Sequence, residues 1–368
     1  MNAQNELDVE AELIAAARLL EQNRAPEVLA ICERVLAYRP KAFIGRLYYA
    51  HALNILDRPY EATVNYYRAI NDAQRRGRWL SPETTLSTLQ ELVVFAMKFV
   101  DAERRRLFEA ALAPTRARAP DELARVDEAL SIYLGEAPAN YANDRQRPKF
   151  LYVPHLPTEA YFARALFPWY ETLERATETI RGELLALLGE NENFEPFLKF
   201  DSQDQVSNYL GGEKPNWNAF FFYRHGERYD DNCARCPATT AILESLPLVR
   251  IAEHAPEICF SVLTPDSHIL PHHGSTNARV VTHLPLIVPP DCAIVVGGET
   301  HVWEEGRCIT FDDTFEHEAW NRSDKTRVVL IVDVWNPHLT AIERDALTAL
   351  IAAIRAFNRD AGVVASDH

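Results

Sequence analysis

In the stretch ILPHHGSTNARVVTHLPLIVP, residues 269–289, three histidines fall within twelve positions and lead into a run with the two-residue period of a β-strand. Alternation puts Arg279, Val281 and His283 on one face and Val280, Thr282 and Leu284 on the other. An arginine and a histidine that both face the inside of a β-barrel are costly to bury without an anion. The run therefore predicts a carboxylate-bearing ligand within the barrel.

Similar short runs flank it: NAFFFYRHG, EICFSVLT, CAIVVGG, RCITF and TRVVLIVDVW, broken by Gly, Pro, Asn or Asp. That spacing predicts an all-β sandwich or barrel such as a jelly roll. In TRVVLIVDVW, Arg327 shares a face with Val329, Ile331 and Asp333, so a second guanidinium reaches the same cavity, and Ser261 of EICFSVLT adds a hydroxyl.

The N-terminal half differs. Residues 9–76 read as helical, and a shift of 34 places superposes Ala16 on Ala50, Leu19 on Leu53, Val28 on Ala62, Cys32 on Tyr66 and Val35 on Ala69. These are the small and large apolar positions of a tetratricopeptide-like helix pair, with Pro40 closing the first unit. SPETTLSTLQELVVFAMKFV, with a start signal at Ser81-Pro82-Glu83, and PDELARVDEALSIYL extend the array. EAPANYANDRQRPKF, residues 136–150, reads as a linker, and AYFARALFPWYETLERATETIRGELLALLG as one amphipathic helical stretch ending at Gly189. The expected class is α+β: tetratricopeptide-like repeats over 1–140, a β-domain over 150–345 and a C-terminal helix over 338–360. The repeats offer either a docking surface for a peptide or protein, or a buttress for the next domain.

A chain of 368 residues exceeds one comfortable core, and a net charge of −15 argues against a broad nucleic-acid or anionic-lipid surface. No apolar run approaches the roughly 18 to 20 residues of a membrane span, and the start MNAQNELDVEAEL is acidic where a secretory signal is basic, so a cytoplasmic protein is expected. Six cysteines are too sparse for a disulfide framework. The Cys233/Cys236 pair of NCARCP reads as a turn into the helix ATTAILESL, with a redox pair or local disulfide as the alternative.

His272 lies just before a strand, and His317 follows 45 residues later in FDDTFEHEAW. One histidine at a strand start and another far downstream match the facial triad of non-haem iron oxygenases, two His and one carboxylate. The carboxylate's place, two residues past the first histidine, holds Gly274. Three readings follow: a two-histidine centre with a small ligand in the carboxylate's place; Asp312, Asp313, Glu316 or Glu318 as third ligand; or ordinary hydrogen-bonded histidines. His272 and His273 cannot both point inward from an extended segment.

The block from PHHGSTNARVVTHLPLIVP to ETHVWEEGRCITFDDTFEHEAWNRSDKTRVVLIVDVWNPHLT resembles the catalytic core of the aspartyl/asparaginyl β-hydroxylase family, most clearly over 261–339. The resemblance implies a double-stranded β-helix, Fe(II), 2-oxoglutarate as co-substrate with O2, and a helical repeat region in some members. The pattern PHxGxTNxR selects His272 over His273 as metal ligand, and FDDxFEHExW selects His317. Family members carry a glycine where Gly274 stands. By the same matching Ser261, His283 and Arg327 fall where the family binds 2-oxoglutarate, and Arg279 where it meets an acidic substrate side chain. Two departures stand out: Val281 replaces an arginine that faces the co-substrate, and Pro285 replaces a glycine. Arg224 and Arg228 are the candidates to supply the missing cation.

The expectation is hydroxylation of an unactivated carbon in an aspartyl/asparaginyl-type residue, a peptide or a related small molecule, with the repeats as possible recruiter and no nucleic acid or membrane span. The alternatives are a 2-oxoglutarate-dependent halogenase, with chloride in the carboxylate's place, and a non-catalytic repeat adaptor whose barrel has lost turnover.

Overall fold

The structure, a computed structural model, describes residues 7–190, 194–198, 209–212 and 215–363. The chain divides into two compact units, Met1–Ala113 with Ala353–Ala365, and Pro114–Ala352 with Ser366–His368. N-terminal helices precede antiparallel sheets.

The first unit opens with α1 (Val9–Glu21), α2 (Ala25–Tyr38), α3 (Phe43–Ile55) and α4 (Pro59–Gln74). The starts of α3 and α4 lie 34 residues after those of α1 and α2 (43 − 9 and 59 − 25). Ala16, Ala50, Ala62 and Ala69 are fully buried among Leu47, Leu53 and Tyr66, so the helices approach closely. At Gly45 a Cβ would stand 3.1 Å from Val35 Cγ1, which a larger residue there would push away. Asp8 accepts from the Ala11 N–H to cap α1, and prolines occupy the first turns of α2 and α4, where a missing N–H breaks no helical bond. The signal at Ser81-Pro82-Glu83 starts only a 3₁₀ turn, Pro82–Thr84; α5 begins later and runs Gln90–Arg118. Phe357, near the end of the helix Ala341–Asp360, packs against Tyr67 and Phe108 in this unit.

In the second unit, α6 spans Ala124–Tyr133. Residues 160–189 do not form one helix. Phe162 N–H donates to Thr310 O (2.9 Å) and Tyr161 bridges to Phe311, so the segment starts against a sheet edge. Pro168 then disfavours helix at Phe167, and helix resumes as α7 (Tyr170–Arg175) and α8 (Thr177–Glu190).

The first sheet holds β1 (Glu195–Pro196), β3 (Trp217–Arg224), β5 (Ile258–Leu263), β12 (Arg327–Trp335), β7 (Arg279–Ile287) and β10 (Ile309–Phe311) in that order, with β4 (Glu227–Arg228) on β3. The second holds β2 (Leu210–Gly211), β6 (Ser267–His272), β11 (His317–Asn321), β8 (Cys292–Val296) and β9 (Glu299–His301). From β5 onward the chain passes repeatedly from one sheet to the other. Among the described residues every pairing between these strands is antiparallel.

Two apolar layers explain the sequence pattern of the first sheet. Phe220, Phe260, Val280, Leu284, Leu330 and Val332 pack one face under Leu173, Ile180 and Leu184 of α7 and α8. On the other face Ala219, Cys259, Val281, Val329 and Ile331 meet Ile269, Ile294, Val296 and Ala319 of the second sheet. With both faces covered, the central strands read as nearly unbroken apolar runs. Pro285 sits in the central strand β7 where the register to β12 slips between Val328 and Val329, a bulge that accommodates the missing N–H. All six cysteines are free and buried; Cys233 and Cys236 flank the turn from the helix Asp230–Arg235 into Pro237–Glu244. Among the described residues no helix is long and apolar enough to cross a membrane.

Candidate functional site

A cavity opens between the two sheets of the second unit, bordered by Ser261, His272, Gly274, Arg279, Val281, His283, Asp313, His317, Arg327 and Asp333 among others. His272, His317, Ser261, His283, Arg327 and Arg279 thus lie on one cavity, whereas Asp312, Glu316 and Glu318 do not border it. The alternation in β7 is real: Arg279, Val281 and His283 border it, while Val280 and Leu284 are in the opposite layer.

His272 is the last residue of β6 rather than a residue before a strand, and His317 is the first of β11. The two stand opposite each other in the β6–β11 register, ring centroids 4.0 Å apart. Nδ1 of His272 lies 2.7 Å from Leu270 O, and Nδ1 of His317 lies 3.0 Å from Phe315 O. A carbonyl only accepts, so each Nδ1 carries the hydrogen and each Nε2 keeps its lone pair. Burial pushes the His317 pKa down to about 4. His272 is lowered by burial and by the neighbouring His317. Both rings are neutral at pH 7, the form that binds a metal. His273 also borders the cavity, with Nδ1 bonded to Thr314 O (3.1 Å).

The space beside Gly274 explains the glycine. A Cβ there would stand 2.2 Å from both Cγ and Oδ2 of Asp313, so that carboxylate fills the room a longer residue would need. The other acids expected nearby have other tasks. Asp312 accepts from Gln146 (2.8 Å) and Thr314 (2.5 Å), and Glu318 pairs with His268 (2.6 Å). Glu316 is exposed. Among the described residues no three His, Cys, Asp or Glu side chains group as metal ligands would. The site therefore offers two imidazoles.

To one side of the histidines lies Arg327. Its Nη1 is 3.5 Å from Ser261 Oγ, which also accepts from Trp217 Nε1 (2.9 Å), and its guanidinium lies 5.0 Å from the Trp303 ring centroid. Arg327 Nε, His283 Nδ1 and Trp303 Nε1 are buried without hydrogen-bond partners, and Arg327 has no carboxylate partner among the described residues. Burial lowers the Arg327 pKa to about 10, which still leaves it charged at neutral pH. His283 is held neutral by burial and by Arg327. A charged, buried guanidinium with unmet donors around it is chemically suited to receive an anion.

To the other side Arg279 is in different company. Its Nη1 lies 3.0 Å from Asp313 Oδ2 and 3.3 Å from Asp333 Oδ1, and Nη2 lies 3.5 Å from Ser275 Oγ. Burial opposes its charge, but those two carboxylates more than reverse the effect. Asp333 Oδ2 accepts the Glu257 N–H at 2.9 Å. Burial and the Asp333 charge push the Glu257 pKa up to about 8, and burial raises that of Asp333 to about 6.

Neither Arg224 nor Arg228 borders the cavity. Arg224 is held by Phe197 O (2.9 Å) and Glu195 (3.4 Å), and Arg228 by Asp230 and Glu244. The arginine replaced by Val281 is therefore not supplied from those positions. Sequence reasoning missed Trp217, Trp303 and Glu257. A signal existed for the last: an acid stands immediately before the mostly apolar strand ICFSVL.

Residues 174–337 match the family model described as aspartyl/asparaginyl beta-hydroxylase. The chain is 37% identical over 219 residues to the human aspartate beta-hydroxylase domain-containing protein 2, covering 58% of each protein. It is 36% identical over 181 residues to the human aspartyl/asparaginyl beta-hydroxylase, covering 49% of this chain and 23% of that one. It is 34% identical over 176 residues to the ornithine lipid ester-linked acyl 2-hydroxylase of Rhizobium tropici, covering 47% and 59%. The match spans less than two thirds of the length of these relatives.

Proposed function

Because residues 174–337 match the aspartyl/asparaginyl beta-hydroxylase family model, we propose that the protein is a member of that family and an Fe(II)/2-oxoglutarate-dependent dioxygenase that hydroxylates an unactivated carbon. The observation that carries this reading is the placement of two neutral imidazoles beside a buried guanidinium that no acid among the described residues neutralises. The metal fits the donor set: Fe(II) accepts imidazole nitrogen, and each Nε2 lone pair is available. Two protein ligands leave more positions open than the two-histidine, one-carboxylate set does.

In this reading His272 and His317 hold Fe(II). Arg327 and Ser261, with His283, hold the distal carboxylate of 2-oxoglutarate, supplying the charge that the buried arginine lacks. Iron, 2-oxoglutarate and O2 together supply the oxidising power that inserts oxygen into a C–H bond, with succinate and CO2 as by-products. The chain's own part is positional. The Leu270 and Phe315 carbonyls fix both imidazoles as Nδ1–H tautomers, the apolar layer of Val281, Ile294 and Ile331 excludes water, and Asp313 keeps the place beside Gly274 closed.

The passage of β5 to β12 between two antiparallel sheets supports a jelly-roll, or double-stranded β-helix, assignment. The 34-residue recurrence of helix starts supports a tetratricopeptide-like first unit that recruits a peptide or protein substrate. The relatives' names point to different substrates, an aspartyl or asparaginyl residue in one and a lipid acyl chain in another, so the proposal is of a reaction type.

Anaerobic titration with Mn(II) or Fe(II), followed by 2-oxoglutarate, tests it by calorimetry. One metal per chain is expected, with 2-oxoglutarate binding dependent on the metal. Loss of the metal in His272→Ala and in His317→Ala supports the site, and a wild-type protein that takes up neither overturns it. Product mass separates hydroxylation, a gain of one oxygen, from halogenation with its chlorine isotope pair.

A further inference from the structure

Arg279 was expected to receive an acidic group of the substrate, yet two buried carboxylates already engage it. Resting on the hydroxylase reading, we propose that the substrate presents a positively charged nitrogen, a primary amine or a guanidinium, to the carboxylates of Glu257, Asp313 and Asp333.

Charge comes first. Three acids, Glu257, Asp313 and Asp333, border the cavity on this side against one buried arginine, Arg279. The next guanidinium, Arg224, has its Nε 3.9 Å from Glu257 Oε1, but it is bonded to Phe197 O at 2.9 Å and stands 3.4 Å from Glu195. It brings a further acid with it and leaves the balance negative among the described residues. His225 has Nδ1 3.5 Å from Glu257 Oε2, and His254 also borders the cavity. Lys149 is near enough for Asp313 to act on its charge, but it is exposed and does not border the cavity. Val281, where a resembling family carries an arginine, contributes no charge. A substrate carboxylate would meet this excess of acids and compete with Asp313 and Asp333 for one guanidinium.

Unmet hydrogen bonds point the same way. Asp313 is 7% exposed and Glu257 9%, and Asp313 Oδ1 and Glu257 Oε1 are buried with no hydrogen-bond partner among the described residues. A buried carboxylate oxygen without a donor is costly, and what it lacks is an N–H. An ammonium offers three donors and a guanidinium five. Without such a group, burial and the Asp333 charge favour a proton on Glu257, which takes the place of the missing cation. The cavity therefore sorts charge. An anion belongs on the Arg327 side and a cation on the Glu257 side, with the two imidazoles bordering the same cavity.

Four probes that differ only in side chain test this: the N-acetyl amides of lysine, arginine, glutamine and aspartate. Each is titrated into the full-length protein loaded with Mn(II) and 2-oxoglutarate. The lysine or arginine probe is expected to bind at least about tenfold more tightly than the aspartate probe, with glutamine between. Glu257→Gln and Asp333→Asn are expected to reduce that preference. If the aspartate probe binds as tightly as the cationic ones, or none of the four binds, the inference is overturned. The wild-type comparison decides even where a variant fails to fold. The preceding 2-oxoglutarate titration keeps the two questions apart, since a protein that refuses 2-oxoglutarate contradicts the hydroxylase reading, whereas one that takes it yet prefers the aspartate probe contradicts only this one.

Discussion

Arg327 and Arg279 begin neighbouring strands of the same sheet, both buried and both bordering one cavity, yet they do opposite things. Arg279 is neutralised by Asp313 and Asp333 and helps to hold the β7 and β12 ends together. Arg327 has a serine hydroxyl and a tryptophan face, and no acid among the described residues. A buried arginine reports an anion-binding site only when the protein has not already supplied the anion. The first is a structural ion cluster with acid to spare; the second is a buried charge with no acidic partner among the described residues.

The largest expected effect is on stability at Arg279. Arg279→Met leaves two buried carboxylates without a counter-charge and should cost about 3–5 kcal/mol in urea unfolding. Adding Asp313→Asn and Asp333→Asn to the same chain should recover much of the loss. A single variant as stable as wild type would show that the pairing is not what holds this side.

At Arg327 the sign reverses. Arg327→Met replaces an uncompensated buried charge by an apolar side chain of similar length, so the ligand-free protein should be as stable as wild type or more so. Calorimetry should at the same time show 2-oxoglutarate binding weakened by about a hundredfold. A marked drop in ligand-free stability would reveal a counter-ion for Arg327.

Gly274→Ala is next. Its methyl group would stand 2.2 Å from Asp313 Cγ, and the resulting shift should cost about 1–3 kcal/mol in thermal unfolding. Because that carboxylate also pairs with Arg279, the variant should weaken the acidic side before it affects 2-oxoglutarate.

The smallest effect is a slope. The Glu257 pKa is raised from 4.5 to about 8, so the folded state binds a proton that the unfolded state releases. This stabilisation is complete below the unfolded value and is lost as pH rises through the folded one. Stability should therefore fall between about pH 5 and 8, and Glu257→Gln should flatten the curve. An unchanged curve would mean that Glu257 is not protonated in the folded state.

The faces of β7 and β12 were legible because alternation is local: a residue's side of the sheet follows from its position in the strand. The helical recurrence was legible for the same reason, since Ala16 and Ala50 announce close packing wherever they occur. Other features were not. The strands that carry the histidines, SHILPH and HEAWN, contain a proline, charges and few apolar residues, and β11 exists because β6 and β8 flank it. The segment 160–189 kept helical spacing but lost helix at Tyr161 and Phe162 to pairing with Thr310 and Phe311.

The amino-acid sequence by itself determined that Arg279 shares a strand face with His283, and Arg327 one with Asp333, because side-chain direction is set by the backbone's own period, while the choice of His272 and His317 rested on the family resemblance. Only the tertiary structure decided the company each charge keeps. Asp313 reaches Arg279 from 34 residues away and Asp333 from 54, while nothing acidic reaches Arg327 among the described residues. Charge pairing depends on distance in space, and chain order carries almost none of that information.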